Sequence, residues 1–173
     1  MYSLDEALAG SSAPKEILET LSLVDIPYIG FDGEEHLGQL VVHTDLVSDV
    51  KEIFAELCNS AFPIERIVPV VAYGWDDDAS MADNNTSAFN YRVIVGQDRL
   101  SNHSLGRAID INPKQNPYYA VNGNVYPSGS HYQPTEPGTL FAGSNAVQAF
   151  TKRGWRWLGD RAENTDYQHF EMI

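Results

Sequence analysis

Residues 101–112 read SNHSLGRAIDIN. From Gly106 the stretch alternates. Ala108, Asp110 and Asn112 share one face of a strand, and Ile109 and Ile111 share the other. His103 stands ahead of the Gly106 turn, and Asp110 follows on the strand. A chain folding back over Gly106 brings the two side chains together. A half-buried strand that carries a carboxylate between two isoleucines requires a partner for that charge.

On the N-terminal side, residues 1–38 read as a leader. A short helix is expected over 12–21, with Ser12 as cap and Pro14 in the first turn. IPYIGFDGEEHLG reads as loop and QLVVH (39–43) as a short strand. The clearest helix covers 44–62. Thr44 caps it, and Leu46, Val50, Ile53, Phe54, Leu57 and Cys58 line one face until Pro63 ends it. RIVPVVAYG (66–74) and FNYRVIV (89–95) read as strands, with the polar WDDDASMADNNTS (75–87) as a loop between them.

On the C-terminal side, Asn122-Gly123 within AVNGNVYP (120–127) signals a hairpin. A helix over 145–153 has Ser144 at its cap and Gly154 at its end. WRW (155–157) and QHFEMI (168–173) read as closing strands. Helices and strands do not alternate in a βαβ rhythm. The expected fold is α+β, one small domain with a mostly antiparallel central sheet and flanking helices.

The chain has 173 residues, 43% of them apolar, which suits one domain with its own core. Its net charge of −13 argues against nucleic-acid binding, which needs clustered cations, and against unaided binding to an anionic surface. The lone Cys58 allows no intramolecular disulfide and reads as helix packing. The N-terminus has no basic start and no apolar run, so it does not read as a signal peptide. No stretch is long enough to span a bilayer. Action outside the cytoplasm would then require a trimmed export signal or release by lysis. Nothing specifies an oligomer, and a monomer is expected.

DYQHFEMI (166–173) is the second segment with chemistry. His169 sits on a strand between Tyr167 and Phe170, with Asp166 three residues earlier. Alone, His169 reads as a packed core histidine. With His103 and Asp110 it completes a set of three protein ligands, which leaves a coordination position open as catalytic zinc sites do. Asp166 would then handle the proton of a water. Arg92, in an apolar strand, could stabilise charge on a carbonyl oxygen. By spacing alone it reads rather as a strand-edge arginine paired to an acid. Asp76, Asp77 and Asp78 lack calcium-loop spacing and read as a solvated turn. His36, His43 and His131 match no ligand position, and His131 lies in a Pro- and Gly-rich loop.

SNHSLGRAID resembles the S-x-H-x-x-G-x-A-x-D motif of the D-alanyl-D-alanine peptidases, which include VanY-like carboxypeptidases and phage endolysins. DYQHFE resembles their second motif, NTSAFNYR (85–92) their arginine segment, and GWRWLGD (154–160) their tryptophan-rich stretch. The resemblance spans roughly residues 25–173. It implies an N-terminal arm over 1–24 and a zinc peptidase domain over 25–173, with the hedgehog/DD-peptidase α+β fold. It implies one zinc ion held by His103, Asp110 and His169, Asp166 as general base, and Arg92 polarising the scissile carbonyl. Ser101, Trp155 and Trp157 are implied at the substrate, a peptidoglycan stem peptide. Relatives acting on terminal D-Ala-D-Ala often carry Glu where Asp166 stands, whereas relatives cleaving L-alanyl-D-glutamate carry Asp. Leu158 replaces a usual glycine, and Arg161 a frequent third tryptophan. Three activities stay open: a D-Ala-D-Ala carboxypeptidase, an L-Ala-D-Glu endopeptidase, and a zinc-dependent wall-peptide binding module without catalysis.

Overall fold

In the computed structural model, which describes residues 1–94 and 98–173, the first twenty residues pack onto the body of the protein. Helix α1 (Leu4–Ala7) starts with a capping box between Ser3 and Glu6, a signal the sequence reading passed over. Helix α2 (Lys15–Leu18) is shorter than expected and begins after Pro14 rather than at Ser12. Ala7, Ala13, Leu21, Val41 and Phe89 form a small core of their own, so these residues do not hang free as an arm.

The longest ladder lies where the sequence reads largely as loop. Strands β1 (Leu21–Ile29) and β2 (Glu35–His43) pair antiparallel, Leu21 opposite His43 and Ile29 opposite Glu35. The expected boundary at residue 24 therefore falls inside a strand. Pro27 and the run of charges obscured the pattern. Pro27 is tolerated because β1 pairs on one side only and Pro27 stands opposite exposed Leu37. The inner half of the hairpin buries Val24, Ile26, Leu40 and Val42.

A 3-10 turn over Thr44–Leu46 leads into helix α3 (Val47–Asn59). The His43 ring, not Thr44, caps this entry, accepting from the Asp45 N–H at 3.3 Å. Val50, Ile53, Phe54 and Leu57 form the buried face as expected, with Cys58 half-buried on its flank. The expected strand over 66–74 is cut short. Strand β3 (Arg66–Ile67) lasts two residues before Pro69 opens a 3-10 turn over Val70–Tyr73. The polar stretch after it contains helix α4 (Asp77–Ala82), capped by Asp76, and strand β4 (Asn85–Thr86), which lies parallel to β3.

The strand expected over 89–95 is an extended run without a ladder. Isolated bridges join Ser87 to Asp110 and Val93 to Leu100, and residue 95 lies outside the described residues. Strand β5 (Ala108–Asp110) follows. The expected hairpin forms from β6 (Tyr118–Tyr119) and β7 (Val125–Tyr126), turning at Gly123 with φ 86°. Helix α5 (Asn145–Thr151) is capped by Ser144, and β8 (Arg156–Trp157), β9 (Thr165–Asp166) and β10 (His169–Glu171) close the chain.

Two three-stranded antiparallel sheets, ordered β5-β10-β8 and β7-β6-β9, give the α+β architecture its functional centre. Behind the first lies the main core. Phe170 on β10 stacks on Phe150 of α5 with ring centroids 3.9 Å apart, and Phe54 of α3 meets Phe150 edge-on at 6.3 Å. Because side chains alternate along β10, turning Phe170 into this core turns His169 and Glu171 to the opposite face.

Candidate metal centre and active site

His103 stands in a 3-10 turn (Asn102–Leu105) that ends at Gly106, φ 64°. A Cβ on Gly106 would lie 2.6 Å from the backbone nitrogen of His43 and 2.7 Å from Leu21 Cδ2. Only glycine lets the turn press against the base of the β1–β2 hairpin, where His43 N–H donates to the Gly106 carbonyl at 2.9 Å. The turn thus reverses as the sequence implied. Ser101, expected at the substrate, is buried and caps this turn, accepting from the His103 N–H at 3.3 Å.

The ladder supplies the other two members. His169 and Asp110 are direct cross-strand partners on β10 and β5, so they share a face at close range. His169 Nδ1 lies 2.9 Å from Asp110 Oδ1, His103 Nε2 lies 3.1 Å from Asp110 Oδ2, and the two histidines approach to 3.2 Å. All three residues are buried, and one donor atom from each lies within 4.8 Å of the others.

Their outer nitrogens are committed elsewhere. His103 Nδ1 bonds the Ala88 carbonyl, which leaves Nε2 bare and facing the cluster. His169 Nε2 contacts Glu171 at 3.3 Å, which leaves Nδ1 facing it. Glu171 is itself held by Asn102 Nδ2 at 2.8 Å. This is the arrangement that orients ligating imidazoles. The sequence reading missed Glu171. Its signal is the i, i+2 spacing from His169, which puts both on one face of β10.

The electrostatics suit a cation. Burial works against ionising Asp110, but His103 and His169 outweigh it and hold the carboxyl far below its usual range. Burial likewise opposes charge on His169, yet hydrogen bonds to Asp110 and Glu171 push its pKa up to about 10. Three buried donors that converge within 4.8 Å, a carboxylate between two imidazoles, fit a divalent metal ion once His169 gives up its proton.

Asp166 lies at the end of β9, in electrostatic contact with His103, Asp110 and His169 and with Arg92. Burial, reinforced by the Asp110 charge and only partly offset by the histidines and Arg92, pushes its pKa up to about 7. The residue is half-buried, but its Oδ1 is fully sheltered and has no hydrogen-bond partner among the described residues.

Arg92 is tied to the same centre. Its N–H donates to Ser104 Oγ at 2.8 Å, and that hydroxyl donates back to the Arg92 carbonyl at 2.7 Å. Its guanidinium pairs with Asp77 at 2.9 Å, while its Nε is buried without a partner among the described residues. The expectation of an arginine paired to an acid therefore holds, and the same arginine faces Asp166 electrostatically. The run Asp76–Asp78 is solvated at Asp76 and Asp78 as expected, but it opens a helix rather than a turn. Asp76 caps α4, and Asp77 at its first position reaches Arg92, which spacing in the sequence could not reveal.

The tryptophans lie deeper than a substrate contact would suggest. Trp155 and Trp157 are 2% and 5% exposed and belong to the main core. They stand behind the site. Trp157 Nε1 donates to the Tyr167 carbonyl at 2.9 Å, bracing the segment between Asp166 and His169. His36 pairs with Asp32, and His131 is exposed, so both stay outside the site.

An α+β domain with a buried His–Asp–His donor set and a sheltered carboxylate beside it has the make-up of a metal-dependent hydrolase. Residues 95–172 match the family model described as D-alanyl-D-alanine carboxypeptidase. The match covers both metal motifs and Asp166 and begins just after Arg92. No curated protein and no solved structure matches the chain.

Proposed function

We propose that the protein is a zinc-dependent peptidase that hydrolyses an amide bond in peptidoglycan stem peptides. The observation that carries this reading is the unpartnered Asp166 Oδ1 beside the three-residue donor set. A buried acceptor without a partner costs stability, and such atoms persist where substrate or water completes them.

His103 through Nε2, Asp110 through its carboxylate and His169 through Nδ1 would hold the ion. When bound, zinc supplies Lewis acidity, making water acidic enough to ionise near neutral pH. Asp166 takes the proton of the attacking water and later delivers it to the leaving amine. Its sheltered position keeps its pKa close to neutrality, where both transfers are easy. Arg92 donates to the carbonyl oxygen as negative charge develops there, with Asp77 holding the guanidinium in place. All these groups come from one chain, so a monomer suffices. No helix among the described residues is long and apolar enough to cross a membrane. The substrate places the protein's action outside the cytoplasm, at the cell wall.

A second reading concerns the bond. The matched family description favours release of a terminal D-alanine. Asp166 in place of glutamate favours the L-alanyl-D-glutamate bond, on the resemblance described above. Digestion of purified stem peptides, with and without chelator, tests both. Hydrolysis should stop on chelation and return with zinc. Free D-alanine among the products supports a carboxypeptidase, and a cut beside D-glutamate an endopeptidase. Zinc-dependent binding without turnover would sink the peptidase reading in favour of a recognition module.

A further inference from the structure

Beside Asp166 the β7-β6-β9 sheet carries a feature the proposed mechanism leaves unused. Tyr118 is the direct cross-strand partner of both Asp166 and Tyr126. Direct partners in an antiparallel sheet put their side chains on the same face. Asp166, Tyr118 and Tyr126 therefore form a row across the sheet, on the face that Asp166 turns toward the metal ligands. The other face carries Tyr119, which packs with Tyr167.

The two tyrosines of the row are held as a platform. Their rings stack with centroids 6.0 Å apart and planes 21° apart, and both are half-buried. Tyr118 donates to Asn164 Oδ1 at 3.0 Å, and Asn124 donates to the Tyr126 hydroxyl at 3.3 Å. Rings fixed in advance lose little entropy on meeting a ligand. The exposed turn beside them, residues 121–124, is Val-Asn-Gly-Asn and carries no charge.

We propose that the Tyr118–Tyr126 pair is a subsite for the N-acetylated sugar ring that carries the stem peptide. This rests on the peptidase reading above and adds to it the glycan part of the substrate. The face of a pyranose ring presents C–H groups that suit the negative face of an aromatic ring. Its hydroxyl and acetamido groups suit neutral amide partners such as Asn124.

The spacing agrees. Strands lie ~5 Å apart, so the tyrosines stand roughly 5 and 10 Å from Asp166 along the row. By ordinary bond lengths, the ring of a muramic acid lies roughly 7–8 Å from the carbonyl of the first stem residue. A terminal D-Ala-D-Ala bond would lie roughly 10 Å further along the stem, beyond this reach. The platform thus favours a cut close to the sugar.

The test compares one stem peptide, free at its amino end, with the same peptide carried on N-acetylmuramic acid. The wild-type protein should show kcat/KM about five- to tenfold higher for the sugar-bearing substrate, the worth of one good aromatic contact. Tyr126→Ala should bring that ratio close to one, and Tyr126→Phe, which keeps the stack, should preserve it. Equal ratios in wild type and Tyr126→Ala overturn the proposal. Saturation-transfer NMR on the wild-type protein covers the case of a variant that does not fold. Saturation should reach the sugar-ring protons, and saturation confined to the peptide protons overturns the subsite. If neither substrate is hydrolysed in the presence of zinc, the peptidase reading fails, while the NMR result still decides the sugar contact.

Discussion

Asp166 combines two costs beside the donor set. Its carboxylate is pushed toward neutrality by burial, and one oxygen has no partner among the described residues. Asp166→Ala should therefore lower kcat by about 10²–10⁴-fold, the usual worth of a positioned acid–base group. It should also leave metal content intact and the melting temperature equal or higher. Elemental analysis and thermal melts check both, and a variant that loses metal or melts earlier would remove the assigned role. Arg92 depends on a neighbour. Its guanidinium is held by Asp77, whose other oxygen lies 3.3 Å from Asn90 Nδ2. Asp77→Asn removes the charge and keeps the shape. Activity should fall roughly ten- to a hundredfold through misplacement of Arg92. In an Arg92→Ala background the same change should cost little more, because the two residues act as a unit. Asp77 was legible only as one of three adjacent acids, and its partner lies fifteen positions away across an irregular run.

Among the elements, the metal centre rests on one glycine turn and one ladder. Gly106 carries a positive φ and sits against hairpin backbone, so Gly106→Ala meets strain and a clash together. It should destabilise the fold by roughly 2–4 kcal/mol, read from denaturant melts, and weaken metal binding by displacing His103. A variant with unchanged stability and metal affinity would show that the turn is not what fixes His103. The β5–β10 pairing does the same for Asp110 and His169. Its register is pinned because Phe170 must enter the core, and a slip of one residue would turn His169 into the apolar core and Phe170 out of it. Both devices were visible in the sequence as a glycine between two motif residues and an alternating strand. The β1–β2 hairpin was not, because its outer half is exposed and charged and holds a proline. An element half of which sees solvent has only half a hydrophobic pattern to show.

For the molecule as a whole, the buried cluster would make the proposed metal binding a proton-linked event. His169 keeps its proton up to about pH 10 in the metal-free protein, and a metal accepts only the neutral imidazole. Binding then releases this proton at neutral pH. The apparent metal affinity should rise about tenfold per pH unit between pH 6 and 8, as competition with a chelator would measure. The stability linkage has the opposite sign. The raised pKa stabilises the metal-free fold fully below about pH 6.5, and that contribution fades as the pH climbs through 10. An affinity that does not change with pH would mean that His169 does not give up a proton to the metal. The sequence by itself determined the α+β class, and it singled out the His103–Asp110–His169 donor set, the acid beside it and the helix face of α3. Each of these is carried by residue type and by spacing along a few neighbouring positions. Only the tertiary structure decided that the tryptophans stand behind the site rather than in it, that Ser101 caps a turn, that Asp77 holds Arg92 and Glu171 holds His169, and that two tyrosines line up beside Asp166. Those relations join residues brought together by sheet register and core packing, which local patterns do not encode.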